Sequence, residues 1–207
     1  VVAGSANTDI PGLMDMHSHL IGDIQQADAA APLKSPAARD ALIGVENARN
    51  TLRAGFTTVR DMGTYRAYVD VALRDAIAAG WVEGPRMIVA GAYLTVPGGG
   101  GEVTGTGMAV PDEMRRGVAA NEAEVRLRAG DILDNHADFI KILATGAVLT
   151  AGTDPGASEY TEAEMRAAVE TAAKRGTFVA AHAHGAKGIK DAVRAGVRSI
   201  DHGSLID

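Results

Sequence analysis

His17 and His19, separated by one residue, close the apolar run Pro11-Gly12-Leu13-Met14-Asp15-Met16-His17-Ser18-His19. Side chains alternate faces along a strand, so both imidazoles project to one side. Two imidazoles on one face at a strand's end can grip a divalent ion. Nearby histidines also arise by chance, and His-x-His alone does not choose between the two. Lys141 interrupts the apolar run Phe139-Ile140-Lys141-Ile142-Leu143. An unpaired ammonium is costly to bury. Either the strand is an edge from which the lysine snorkels to water, or the amine is neutral or converted beside metal ions. A lysine that has taken up carbon dioxide is a carbamate, whose two oxygens can bridge two metals. His182 ends Phe178-Val179-Ala180-Ala181-His182, and His202 follows Ser199-Ile200-Asp201. Each alone also fits a hydrogen-bonded core or rim histidine. His184 shares a face with His182, as a substrate contact or a support. Asp61, ending Thr57-Thr58-Val59-Arg60-Asp61, suits hydrogen-bonded support better than metal ligation. Tyr160 joins His184 and Asp61 as a candidate for substrate binding or support, and His136 falls on a helical pattern as a surface residue.

The elements that must position these groups alternate. Apolar strand patterns cover Leu13 to His17, Thr57 to Asp61, Met87 to Ala92, Phe139 to Ala144, Phe178 to His182 and Val197 to Asp201. Amphipathic patterns between them predict helices over Pro36 to Arg53, Arg66 to Ala79, Glu122 to His136, Glu162 to Arg175 and Ala186 to Ala195. Thr161-x-x-Glu164 is a capping box. Gly55, Gly176 and Gly196 stand where left-handed helix caps are expected. Near-continuously apolar strands alternating with helices imply a parallel sheet covered by helices. A doubly wound sheet usually carries a glycine-rich phosphate turn after its first strand; here that turn reads His17-Ser18-His19-Leu20. The pattern therefore favours a TIM-like (β/α)8 barrel, which needs eight strands, with strands one to six present in this chain. The glycine-rich stretch from Pro97 to Gly107 follows strand three, as a mobile loop or an active-site lid.

Composition narrows the partners. With 207 residues the chain suits one domain with a full core. A net charge of -6 with scattered basic residues gives no footprint for nucleic acid or an anionic membrane. Without cysteine there is neither a disulfide nor a thiolate ligand. No apolar run of about 18 residues is present to span a bilayer. No basic segment followed by an apolar one is visible at the N-terminus as a signal peptide; a cytoplasmic location is the expectation, with a periplasmic or secreted one as the alternative if a leader was removed.

Together the motifs resemble the amidohydrolase superfamily, in its imidazolonepropionase-like branch. The matching text is Pro11 to His19, Ala54-Gly55-Phe56-Thr57-Thr58-Val59-Arg60-Asp61-Met62-Gly63, Phe139 to Ile142, Ala181-His182-Ala183-His184-Gly185 and Ala195 to Gly203. The resemblance spans nearly the whole chain. It is strongest to metal-dependent dipeptidases and carboxypeptidases: Xaa-Pro dipeptidases, peptidases releasing C-terminal Arg or Lys, and ochratoxin-type amidases. The spacings of 41 positions from Lys141 to His182 and 20 from His182 to His202 are similar to that subgroup's.

The resemblance implies two divalent metal ions, zinc by default. His17 and His19 would hold one, His182 and His202 the other, with carboxylated Lys141 and a hydroxide bridging them. The implied reaction is hydrolysis of an amide bond in a dipeptide or N-acyl amino acid by attack of that hydroxide. The alternatives are cyclic-amide hydrolysis or deamination, and a barrel fragment that binds metal or a partner without turnover. A homo-oligomer is expected for the intact protein. The chain departs from the family pattern in lacking the aspartate that ends strand eight. Gly152-Thr153-Asp154 resembles its local text but falls between strands four and five. The barrel is thus expected to be C-terminally incomplete over residues 1–207, with a flanking β-sandwich absent or vestigial at 1–10, and weakly active or inactive alone.

Overall fold

The computed structural model describes residues 10–22 and 28–207; apart from Ile10, the segment expected to hold a vestigial β-sandwich lies outside the described residues. Strands β1 (Leu13–Ser18), β2 (Phe56–Asp61), β3 (Arg86–Val89), β4 (Tyr93–Leu94), β5 (Ile140–Leu143), β6 (Val179–Gly185) and β7 (Ser199–Leu205) alternate with helices. The helices are α1 (Ala31–Lys34), α2 (Ala37–Arg53), α3 (Val69–Ala78), α4 (Glu122–Asp134), α5 (Glu162–Lys174) and α6 (Ala186–Ala195). The strands form two sheets, β1-β2-β3 and β4-β5-β6-β7, and every pair in them is parallel. This is the α/β architecture with parallel sheets that the strand–helix alternation requires.

The run expected as one third strand is two. β3 stops at Val89, and Gly91 adopts a left-handed backbone (φ 75°). Its amide donates to the buried Asp70 carboxylate at 2.8 Å, and its carbonyl accepts from Tyr68 at 2.9 Å. The chain turns there, and Tyr93 and Leu94 resume pairing with Lys141 and Ile142 of β5. One kinked connection therefore carries the parallel order from one sheet to the other. The helix expected from Arg66 begins only at Val69, because Tyr68 is left-handed (φ 71°). The helix expected to reach His136 ends at Asp134, and His136 is exposed and left-handed (φ 67°). The capping box forms as read: Thr161 Oγ1 accepts from the Glu164 amide at 3.3 Å, and the Glu164 carboxylate accepts from the Thr161 amide at 2.8 Å. Gly55, Gly176 and Gly196 all have positive φ at helix ends.

Alternation along the strands sorts the buried residues. Ile140 and Ile142 of β5, with Val179, Ala181 and Ala183 of β6, pack in the core with α4, α5 and α6. Val59, Met87 and Val89 pack with Ala48 of α2 and with Val71 and Leu73 of α3. The intervening positions face the other way. Met62, Ala90, Phe139 and Ala180 form a small apolar plug there. Arg60, Lys141, His182, His184 and Asp201, all buried, share that inner face.

Candidate metal centre

Five histidines from three strands converge on the inner face at the carboxyl ends of the sheets. The ring centroids of His17 and His19 are 5.3 Å apart, and His17 lies 4.8 Å from His202. His202 lies 4.6 Å from His182 and 4.8 Å from His184, which are 4.8 Å from each other. Ligating nitrogens of His182, His184 and His202 all fall within 4.8 Å of one another. The sequence pattern placed His202 just after a strand; instead β7 runs through it to Leu205, with left-handed backbone at His202 (φ 77°) and Gly203 (φ 63°). Simple alternation would put Asp201 and His202 on opposite faces; this kink lets the buried Asp201 and the exposed His202 both reach the histidine cluster. Such backbone at a non-glycine residue is costly, and it clusters at functional sites.

Burial favours the neutral form, the one that ligates metal, in His19, His182, His184 and His202. Burial pulls His19 down to about 4, His182 to about 3 and His202 to about 4, and it lowers His184 as well. Backbone carbonyls choose the tautomers, since a carbonyl can only accept. His19 Nδ1 donates to Gly63 O at 2.9 Å, leaving Nε2 free; His182 Nε2 donates to Gly146 O at 3.0 Å, leaving Nδ1 free. Tyr93 Oη donates to the same Gly63 carbonyl at 2.9 Å and stands 3.2 Å from His19 Nδ1. His184 Nδ1 is 2.6 Å from Ser204 Oγ.

Lys141 is not an edge-strand lysine. It sits between β4 and β6 at 3% exposure, and its Nζ donates to Asp201 Oδ2 at 3.0 Å. Burial lowers its pKa to about 8, against the opposing pull of Asp201. Asp201 is also held by Arg60 Nη2 at 2.9 Å and lies 3.5 Å from His17 Nδ1. Burial alone would raise the Asp201 carboxyl, but His17 and Lys141 outweigh it and hold it well below the usual range. Clustered imidazoles, two of them with tautomers fixed by carbonyls, a buried amine and an ionised carboxylate form a donor set that fits divalent cations.

A family model for the amidohydrolase family matches residues 9–207. The chain belongs to this family. Among relatives, this amidohydrolase is 30% identical over 213 residues to an ochratoxinase of Aspergillus niger, covering 96% of this chain and 44% of the relative. A Xaa-Pro dipeptidase structure with bound methionine superposes with a TM-score of 0.86 at 39% identity, covering 95% of this chain and 49% of that one. A prolidase complexed with N-methylphosphonate-L-proline superposes with a TM-score of 0.84 at 32% identity, covering 95% and 48%. The chain thus spans about half the length of the relatives it matches.

Of the residues singled out in the amidohydrolase sequence, His17, His19, Lys141, His182, His184 and His202 are brought together. Asp61 lies below them as a support: its carboxylate accepts from the Leu20 amide at 2.8 Å and the Gly63 amide at 3.1 Å, tying the turn after β1 to that after β2. Burial raises its pKa. Tyr160 stands apart from this cluster. It is 1% exposed in the core under α4 and α5, where its hydroxyl donates to Ala119 O at 2.9 Å, so no face is left for a substrate. The glycine-rich stretch is not a loose loop throughout, since residues 99–103 are buried. Gly100 N donates to Glu159 Oε1 at 2.7 Å, and Gly101 N donates to Thr95 Oγ1 at 3.1 Å. Sequence reasoning missed Arg60, Tyr93 and Asp201. Arg60 and Asp201 were visible only as charged residues inside strand patterns, the same signal that drew notice to Lys141.

Proposed function

We propose that this amidohydrolase is a binuclear metal-dependent enzyme that cleaves the amide bond of dipeptides or N-acyl amino acids. The observation that carries this reading is the convergence of five histidines around one buried lysine. His17 and His19 would hold one ion, His182 and His202 the other, and Lys141, carboxylated, would bridge them; zinc is the expected metal. The metal pair, when bound, supplies an activated water and a Lewis acid for the scissile carbonyl. The protein's own groups do the rest. Gly63 and Gly146 hold protons on the far nitrogens of His19 and His182, so the near nitrogens keep their lone pairs. Arg60 and Asp201 balance charge around Lys141. His184, fixed through Ser204, faces the same space and is the side chain placed to touch a substrate.

The relatives' names, an ochratoxinase, a Xaa-Pro dipeptidase and a prolidase, support a peptide-like substrate over a cyclic one. The parallel run β1 to β7 is then read as six strands of an eight-stranded barrel, β3 and β4 together counting as one. The test is a panel of Xaa-Pro dipeptides, other dipeptides, N-acyl amino acids and cyclic amides with the full-length polypeptide. We expect turnover of the linear amides, lost on chelation and restored by zinc. Turnover of cyclic amides alone, or activity indifferent to chelators, would contradict the proposal.

A further inference from the structure

We propose that Asp201 is a positioning residue that orients carboxylated Lys141 by accepting the single N–H left on its Nζ, and that Arg60 clamps Asp201 for this task. The inference rests on the bridging role given to Lys141 above. When the neutral amine attacks carbon dioxide, the N–C bond forms and an electron pair of one C=O moves onto oxygen. One proton leaves Nζ for solvent. The product is a planar carbamate whose nitrogen keeps one hydrogen and can only donate. Its two oxygens can meet two metal ions only if rotation about the Cε–Nζ bond is fixed.

The structure supplies the acceptor. Asp201 Oδ2 is 3.0 Å from Lys141 Nζ, and the other oxygen, Oδ1, takes the Arg60 Nη2 proton at 2.9 Å. Arg60 is itself fixed, Nε on Met16 O at 2.7 Å and Nη1 on Ser199 Oγ at 3.1 Å. Its guanidinium lies 5.8 Å over the Phe139 ring. β1, β2, β5 and β7 are thereby tied through one carboxylate. Both Asp201 oxygens face donors, and an aspartate satisfies both. An asparagine cannot: its NH2 must oppose either Arg60 or the carbamate N–H. An unmodified neutral amine, by contrast, can accept from that NH2. Asp201→Asn therefore conserves volume while turning the site against the carbamate.

The experiment is 13C NMR of the full-length protein equilibrated with 13C-bicarbonate, with metal content and circular dichroism on the same samples. We expect a carbamate resonance in wild type, a loss of about tenfold or more in Asp201→Asn, a parallel fall in bound metal, and an unchanged dichroism spectrum. If Asp201→Asn does not fold, Arg60→Lys carries the test, because one ammonium cannot replace the three directed Arg60 bonds; the resonance should fall about threefold or more. A wild-type carbamate that persists undiminished in these variants overturns the role of Asp201 and leaves the bridging lysine standing. A wild type without the resonance overturns both.

Discussion

A metal-binding imidazole is only as good as the group that holds its other nitrogen, and in this site those groups are mostly backbone carbonyls. The Gly63 carbonyl takes two donors, His19 Nδ1 and Tyr93 Oη. Tyr93 thus fixes the acceptor on which the His19 tautomer depends, and burial pushes its own hydroxyl far above the usual range, keeping the proton on. Tyr93→Phe removes that bond while conserving the ring packed edge-on to Tyr65. We expect metal affinity to fall about 10- to 100-fold, the usual effect of losing a support of this kind, with little change in melting temperature. A competition titration against a zinc chelator measures this; unchanged affinity would remove Tyr93 from the site. The histidines and Lys141 were legible in the sequence because each breaks an apolar strand pattern, at its end or, for Lys141, within it. Asp201 was not, because its meaning comes from Arg60 and Lys141, 141 and 60 positions away.

Among the elements, strand and helix centres followed from periodicity, and breaks did not. Tyr93–Leu94 is too short to show a period, and its pairing with β5 depends on the turn at Gly91. The loops have a similar hidden order. Glu159, adjoining the buried residues 99–103, accepts from Gly100 N through Oε1, while its buried Oε2 has no partner among the described residues. Burial raises this carboxyl from 4.5 to about 7, opposed only in part by the Gly100 amide. The folded protein therefore binds this proton more tightly than the unfolded chain. The associated stability is fully present below about pH 4.5 and lost as pH rises through about 7. Glu159→Gln cannot ionise, so its stability relative to wild type should rise between those limits and level off above them. Urea denaturation of both proteins from pH 4 to 8 reads this directly. A difference independent of pH would show that Glu159 is not a buried acid.

In the whole molecule, the two outer strands stand out. Among the described residues, β1 pairs only with β2 and β7 only with β6. Both carry exposed apolar side chains, with Met14 68%, Met16 49% and Leu205 54% exposed. Unpaired edges with apolar side chains favour association with other chains. The chain is accordingly expected to self-associate when produced alone. Light scattering over a range of concentrations checks this; a monomer throughout would contradict it. The parallel layout was legible because each of the first five strand patterns is followed by a helical pattern, whereas a closed barrel is not formed by the pairings among the described residues. The most direct test of the central claim is the metal content of the full-length protein, purified without added metal and measured by elemental mass spectrometry. We expect about two transition-metal ions per chain, falling to one or fewer in Lys141→Met. About one ion per chain or fewer in the folded wild type would contradict the binuclear site.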